Sequence, residues 1–167
     1  MPASYAGPMG GNIVGGGGSI NRSGLITSVN QRTNSLAIDW ASFNVKQNEI
    51  VNFLQPGASS IVLNRILGDS ASNIHGQINA NGHVVLVNPN GIFFGATASV
   101  NVGGLIASGL DISPVDFMNG NYIFNEVLGT DGTVINSGLI NASLGGRVAL
   151  IGQQVVNKGV INARIVD

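Results

Sequence analysis

The sequence predicts an all-β solenoid, a stack of short parallel strands wound around one core. Three observations predict it. Apolar runs such as Val84-Val85-Leu86-Val87 and Val148-Ala149-Leu150-Ile151 have strand length and are far too short for buried helices. A glycine-led phrase recurs as Gly24-Leu25-Ile26-Thr27-Ser28, Gly76-Gln77-Ile78-Asn79-Ala80, Gly104-Leu105-Ile106-Ala107-Ser108, Gly138-Leu139-Ile140-Asn141-Ala142 and Gly159-Val160-Ile161-Asn162-Ala163. The last two copies share their context, Val134-Ile135-Asn136-Ser137 against Val155-Val156-Asn157-Lys158, and stand 21 residues apart. A period of roughly 20 residues marks a solenoid, because each copy is too short to bury its own apolar face and must stack on the next.

Composition agrees. Aromatic residues make up only 5% while glycine contributes 25 residues, so the core must consist of thin layers of Val, Ile, Leu and Ala between tight corners. At 167 residues the chain fits one domain, 1–167, able to bury a real core. Charged residues are 9% and the net charge is -1, which excludes a grip on a phosphate backbone, so no nucleic-acid partner is expected. With 44% hydrophobic residues the low charge does not signal disorder. No cysteine is present, so disulfides and thiolate zinc sites are excluded. No apolar run reaches transmembrane length, and Met1-Pro2-Ala3-Ser4-Tyr5 lacks the basic and apolar parts of a signal peptide.

Taken in order, Gly15-Gly16-Gly17-Gly18-Ser19 reads as the first corners of the fold rather than as a linker. No helix-forming stretch follows to make it a phosphate loop. The first third repeats least well and carries Trp40, Phe43 and Phe53, which assigns a cap to about 1–55 and the coils to about 56–167. Asn136 and Asn157 should lie one above the other, with their amides bonded along the stack. Gly104 and Gly138 are 34 residues apart, and the excess holds Asn119-Gly120 between apolar runs. That pair is a hairpin signal, so an extrahelical β-hairpin is expected near 115–126. The chain stops within a repeat at Val160–Asp167 and reads as the N-terminal piece of a longer protein.

Side chains suited to chemistry are sparse. His75 and His83 each lie near a glycine and read as solvated turn residues, without metal-ligand spacing. No serine sits in a nucleophile-elbow pattern. None of Asp39, Glu49, Asp69, Asp111, Asp116, Glu126, Asp131 and Asp167 recurs at the repeat period, and glycosidic chemistry needs two carboxyls at a defined separation. Asp111 and Asp116 are a close pair, placed by Pro114 in the loop before the expected hairpin. The glycine-rich aspartate repeat that binds calcium is missing. Arg65, inside Leu63-Asn64-Arg65-Ile66-Leu67-Gly68, either faces solvent or pins the cap through a hydrogen-bonded fork. Asn21-Arg22-Ser23 and Asn141-Ala142-Ser143 match the glycosylation pattern by chance. No catalytic, cofactor-binding or metal residue is assigned.

The organising stretch is Asn88-Pro89-Asn90-Gly91-Ile92, between the apolar runs Val84–Val87 and Ile92–Phe94. Pro89 sets its own φ and pushes Asn88 to extended geometry, so Asn88–Gly91 reads as a β-turn followed by a strand that starts at Ile92. These five residues resemble the NPNGI-type motif of two-partner secretion domains, the N-terminal modules of filamentous-haemagglutinin-like exoproteins (the haemagglutination activity domain family). The resemblance runs through Ile38-Asp39-Trp40-Ala41-Ser42-Phe43-Asn44-Val45, Val51-Asn52-Phe53, Leu63–Gly68, Gly76-Gln77-Ile78-Asn79-Ala80-Asn81-Gly82 and Val102–Ser108. The upstream NPNL motif of that family is absent, and Leu54-Gln55-Pro56-Gly57 is the nearest proline turn. This is closer to the branch of high-molecular-weight adhesins and haem-acquisition exoproteins than to filamentous haemagglutinin.

The resemblance implies a right-handed parallel β-helix. It implies a mature region whose export signal has been removed, with Met1 added for expression, and a monomer secreted through the periplasm to the cell surface or medium. The implied partner is a TpsB-type outer-membrane β-barrel transporter with periplasmic polypeptide-transport-associated (POTRA) domains. No cofactor and no enzymatic step are implied, and the parent would be an adhesin, haemagglutinin-like or contact-dependent-inhibition exoprotein. Asn88, Pro89, Asn90, Gly91 and Ile92 are the secretion and folding motif, acting either by setting the turn or by contact with the transporter. Two other readings stand beside this one: a glycan- or surface-binding module, for which aromatic platforms are scarce, and a polysaccharide-active enzyme.

Overall fold

The computed structural model describes residues 7–143 and 145–167, so the reading of Met1–Tyr5 lies outside the described residues. The chain forms a right-handed parallel β-helix of about 6 turns. Two antiparallel strands open it, β1 (Asn12–Gly15) and β2 (Gly18–Ser23). The coils then run through β3 (Ile26–Gln31) and β4 (Ser35–Trp40), then β5 (Ile50–Leu54), β6 (Ile61–Ile66) and β7 (Ser72–Ile74). They continue with β8 (Gln77–Ala80), β9 (His83–Val87), β10 (Ile92–Phe94), β11 (Ser99–Val102) and β12 (Gly104–Ser108). After the helix α1 (Pro114–Met118) come β13 (Thr133–Asn136), β14 (Leu139–Ala142), β15 (Arg147–Ile151), β16 (Gln154–Asn157), β17 (Val160–Asn162) and β18 (Ile165–Val166). Among the described residues no helix is long and apolar enough to cross a membrane.

Among the described residues these strands form three sheets. The first face stacks β2, β3, β5, β8, β11, β14 and β17; the second stacks β1, β4, β6, β9, β12, β15 and β18; the third stacks β7, β10, β13 and β16. Every neighbour from β3 and β4 onward is parallel. The repeat shows directly in the register, with Val134 on Val155 and Asn136 on Asn157. Asn136 Nδ2 donates to Asn157 Oδ1 at 3.0 Å, the amide ladder expected from the sequence.

Inward residues of the three faces make one core, in which Trp40 meets Phe43 edge-on at 5.7 Å. A second apolar cluster lies outside the second face. There Ala37, Leu63, Val85 and Ile106 stand in register on β4, β6, β9 and β12 and are covered by Ile112, Phe117, Met118 and Phe124. This two-sided burial explains why Val84–Val87 is a continuous apolar run rather than an alternating one.

Three expectations need correction. Parallel stacking already begins at β3, so the aromatic-rich stretch to Phe53 belongs to the first coils, not to a cap of about 1–55. The antiparallel closure is made by β1, β2 and a bridge from Met9 to Ser42, and just before β1 the backbone at Gly11 lies directly over the Trp40 ring. Gly104-Leu105-Ile106 is not a copy on the same face as the other glycine phrases, since it forms β12 on the second face while Ser99–Val102 pairs with β8 and β14.

The expected hairpin near 115–126 is an excursion of residues 109–132 that contains α1 and one antiparallel bridge, Asp111 to Asn125. Ser113 caps α1, accepting from the Asp116 N–H at 3.4 Å, and Pro114 occupies the first turn. Asn119 is its C-cap at φ -84, so it cannot belong to a type I′ hairpin turn. Gly120 follows at φ +80, donating to the Phe117 carbonyl, while the Asn121 N–H returns to the Asp116 carbonyl. This is a Schellman ending. Asparagine-glycine signals a reversal in both cases, and Ser-Pro-Val-Asp upstream is what decides for helix.

The Phe94→Ala variant should lose about 3–5 kcal/mol of stability in urea unfolding, because its ring is fully buried. Leu128→Ala, at a side chain 89% exposed, should stay within about 0.5 kcal/mol. Gly120 has open space around its Cβ position, so a valine there tests backbone conformation alone. Gly120→Val should cost about 1–2 kcal/mol in the same assay, and Gly120→Asn less.

Candidate functional site

The Asn88–Gly91 corner carries the chain from β9 on the second face to β10 on the third. The Gly91 N–H donates to the Asn88 carbonyl at 3.0 Å and closes the turn. Neither Pro89 nor Asn90 has positive φ, so the two form a type I turn. Gly91 leaves it at φ +111, and a side chain there would be both strained and only 3.2 Å from the Thr133 carbonyl.

Asn88 is completely buried, and each end of its amide is used. Its Nδ2 donates to the Ser70 carbonyl and to Ser72 Oγ, both at 3.0 Å. Its Oδ1 accepts the Asn90 N–H at 3.0 Å and Asn90 Nδ2 at 3.2 Å. Asn90 Nδ2 also donates to the Gly68 carbonyl at 2.7 Å. The corner is thus tied to the one beneath it by side chains. Ile92 then points into the main core, 2% exposed, with Ser72 and Val134 as its ladder neighbours.

The coil above rests on the same corner. The Asn88 N–H donates to the Ser108 carbonyl at 3.0 Å, and the Gly132 N–H donates to the Pro89 carbonyl at 2.8 Å. Ser108 and Gly132 flank the excursion's two ends, so the motif seats both. The necks touch: a Cβ on Gly109 would collide with the Gly132 carbonyl oxygen. Sequence reasoning placed Asn88–Gly91 in one turn and Ile92 at the start of the next strand, as found, and missed Gly68, Ser70, Ser72, Ser108 and Gly132. Nothing local marks those partners, because the excursion breaks the period between the motif and Gly132.

Arg65 makes the fork anticipated for it, but onto the excursion. Its Nε and Nη2 each meet an Asp111 carboxylate oxygen at 2.9 Å. Asp39, its neighbour on β4, lies 3.7 Å from Nη1. The hydrogen bond with Asp111 raises the Arg65 pKa above its usual range, opposed by partial burial and aided by the charges of Asp111 and Asp39. Asp39 Oδ1 is buried and accepts no hydrogen bond, so the guanidinium's charge is what offsets it.

The remaining candidates are structural in their placement. His75 and His83 are half-buried rather than solvated: each ring lies over a glycine of the next coil, His75 on Gly95 and His83 on Gly104. Phe93 meets His75 edge-on at 5.8 Å. Asp111 is held by Arg65, whereas Asp116 stands in the first turn of α1. Among the described residues no three His, Asp or Glu side chains converge.

Residues 10–166 match the family profile of the TPS secretion domain. The chain belongs to that family. Its fold superposes on the crystal structure of the HMW1 secretion domain from Haemophilus influenzae with a TM-score of 0.90 at 37% identity, covering 94% of this chain and 42% of that one. Over 163 residues it is 37% identical to a heme/hemopexin-binding protein of Haemophilus influenzae strain Rd, covering 93% of this chain and 18% of the relative. A second Haemophilus influenzae heme/hemopexin-binding protein is 36% identical over 99 residues, 59% of this chain and 11% of that protein. The chain therefore spans less than a fifth of the length of these relatives. TPS secretion domains are non-enzymatic modules of secreted exoproteins, so the enzyme reading falls.

An Asn88→Asp variant tests the corner through pH. The new carboxylate would lose both amide donors and face the Ser70 carbonyl without water, so its pKa in the folded state would rise. Destabilisation should be slight below the unfolded value of about 3.9, grow as pH rises, and level off above the raised folded value. Urea unfolding from pH 3 to pH 8, compared with the parent at each pH, checks this.

Proposed function

We propose that this TPS secretion domain directs its exoprotein through a cognate TpsB-type outer-membrane transporter and starts β-helix folding at the cell surface. Asn88–Ile92 is the folding determinant in this reading. In the periplasm the chain is extended, and its apolar strands separated by polar corners suit addition to the sheet edges of the transporter's POTRA domains. Outside the cell it folds as a monomer, and the folded coils template those that follow. Similarity to HMW1 and to heme/hemopexin-binding proteins supports a parent of the adhesin or haem-acquisition type.

One observation carries the folding role of the motif. Asn88, Gly91 and Ile92 are buried in the folded domain, and the Asn88 amide is consumed by Ser70, Ser72 and Asn90. A folded domain could offer a receptor only Pro89 and Asn90, both half-buried. The same residues join three coils, so a failure at this corner would leave β9, β10 and the excursion unregistered.

Asn90→Ala and Ile92→Ala should slow refolding and lower export together, Ile92→Ala costing about 2–5 kcal/mol. The paired measurement is the refolding rate of the purified variant and the amount secreted by cells carrying the transporter. A variant that refolds like the parent yet stays inside would transfer the role to direct recognition. Normal export of an Asn90→Ala, Ile92→Ala double variant would leave the motif no part in secretion.

A further inference from the structure

We infer that the excursion, residues 109–132, is a late-closing latch: it docks after the coils beneath it and sets the rate at which the domain unfolds. Arg65 and Asp111 are its positioning residues. The inference rests on the proposal that folding outside the cell drives export, and gives the step that makes folding hard to reverse.

Order of assembly follows from what each contact requires. Coil-to-coil pairs such as Leu63 on Val85 join neighbouring turns and close short loops. The excursion instead leaves the coil of β12 and reaches back to the start of the chain. Met118 packs on Gly15 of β1, whose Cβ position lies 2.7 Å from Met118 Cγ, and Asp111 is clasped by Arg65 across 46 residues of sequence. Long closures form after short ones.

The excursion also has no stability of its own. α1 has five residues, and one turn of helix does not survive alone in water. Phe117 is 1% exposed only because the row from Ala37 to Ile106 is already assembled beneath it. That row does not exist until β4, β6, β9 and β12 are stacked. The excursion must therefore find its seat after them.

An interaction made after the transition state slows unfolding without speeding folding. Closing the latch buries the second face, and its ends are held on the Asn88–Pro89 corner through Ser108 and Gly132. To move back through a pore the chain would have to undock the excursion before any coil beneath could separate. The latch would thus convert a reversible stack into one that resists backsliding once Gly132 has emerged.

The test compares folding and unfolding rates of the purified domain in denaturant jumps for Asp111→Asn, Asp111→Glu and Phe117→Ala. Loss of the charged fork should speed unfolding roughly tenfold while the folding rate stays within about twofold, and Asp111→Glu should restore most of the parent rate. If Phe117→Ala does not fold, Asp111→Asn carries the test, since it leaves both the apolar cover and the Arg65–Asp39 pair in place. Folding slowed as much as unfolding is accelerated would make the excursion part of the nucleus and overturn the latch, and so would unchanged rates. Export of the same variants separates the two claims. Faster unfolding with reduced export supports both, whereas faster unfolding with normal export overturns the role in backsliding and leaves the corner's role to be judged by Asn90→Ala and Ile92→Ala.

Discussion

A coil of this helix offers its backbone N–H and C=O groups almost entirely along the stacking axis, so its neighbours are what satisfy them. The rest of the architecture answers to that constraint. Strands on three faces stay in register because one slip would orphan a row of polar groups and rotate apolar residues out of the core. Between faces the ladder is interrupted, and there the polar groups need other partners. Asn88 supplies them at the corner between β9 and β10, taking a carbonyl and a hydroxyl from the coil below while its own turn is closed. A buried amide works at this place because it donates and accepts at once and carries no charge that would need solvent.

The second constraint is the width of the sheet faces. On the second face both sides are apolar, which a plain solenoid would leave exposed to water. The excursion solves this with a helical turn, Phe117 and Met118, and fixes itself by the fork of Arg65 on Asp111. That fork is partly shielded and bidentate, which distinguishes it from the looser Arg147–Asp167 pair, where both side chains are more than half exposed. The two devices meet at one place, since the corner at Asn88 and Pro89 also holds the excursion's ends.

For a secretion module this arrangement joins two demands. On the proposed passage through a transporter, the chain must offer no fold that blocks the pore, and the absence of cysteine means that no disulfide loop can do so. Outside, it must hold firmly with few charges and few aromatic rings. Stacked Val, Ile and Leu layers supply the first part of that hold through local contacts, and the excursion adds long-range contacts to the same body.

The sequence by itself determined the solenoid, its repeat, the asparagine ladder and the turn at Asn88–Gly91. Each is a local or periodic property: strand-length apolar runs, glycine at corners, Pro89 setting φ, identical residues one coil apart. It also placed an excursion between β12 and β13 through the excess length there, and it marked Arg65 as an unusual charge. Only the tertiary structure decided that Asn119-Gly120 ends a helix, that Gly104 lies on a different face from the other glycine phrases, and that Arg65 grips Asp111. These depend on which residues meet across the stack. Asparagine-glycine reverses a chain after a helix as readily as between strands, and an outward arginine takes whichever carboxylate the excursion brings to it. Neither choice is written in the neighbouring residues, because the energy that makes it belongs to a surface that exists only after the coils have stacked.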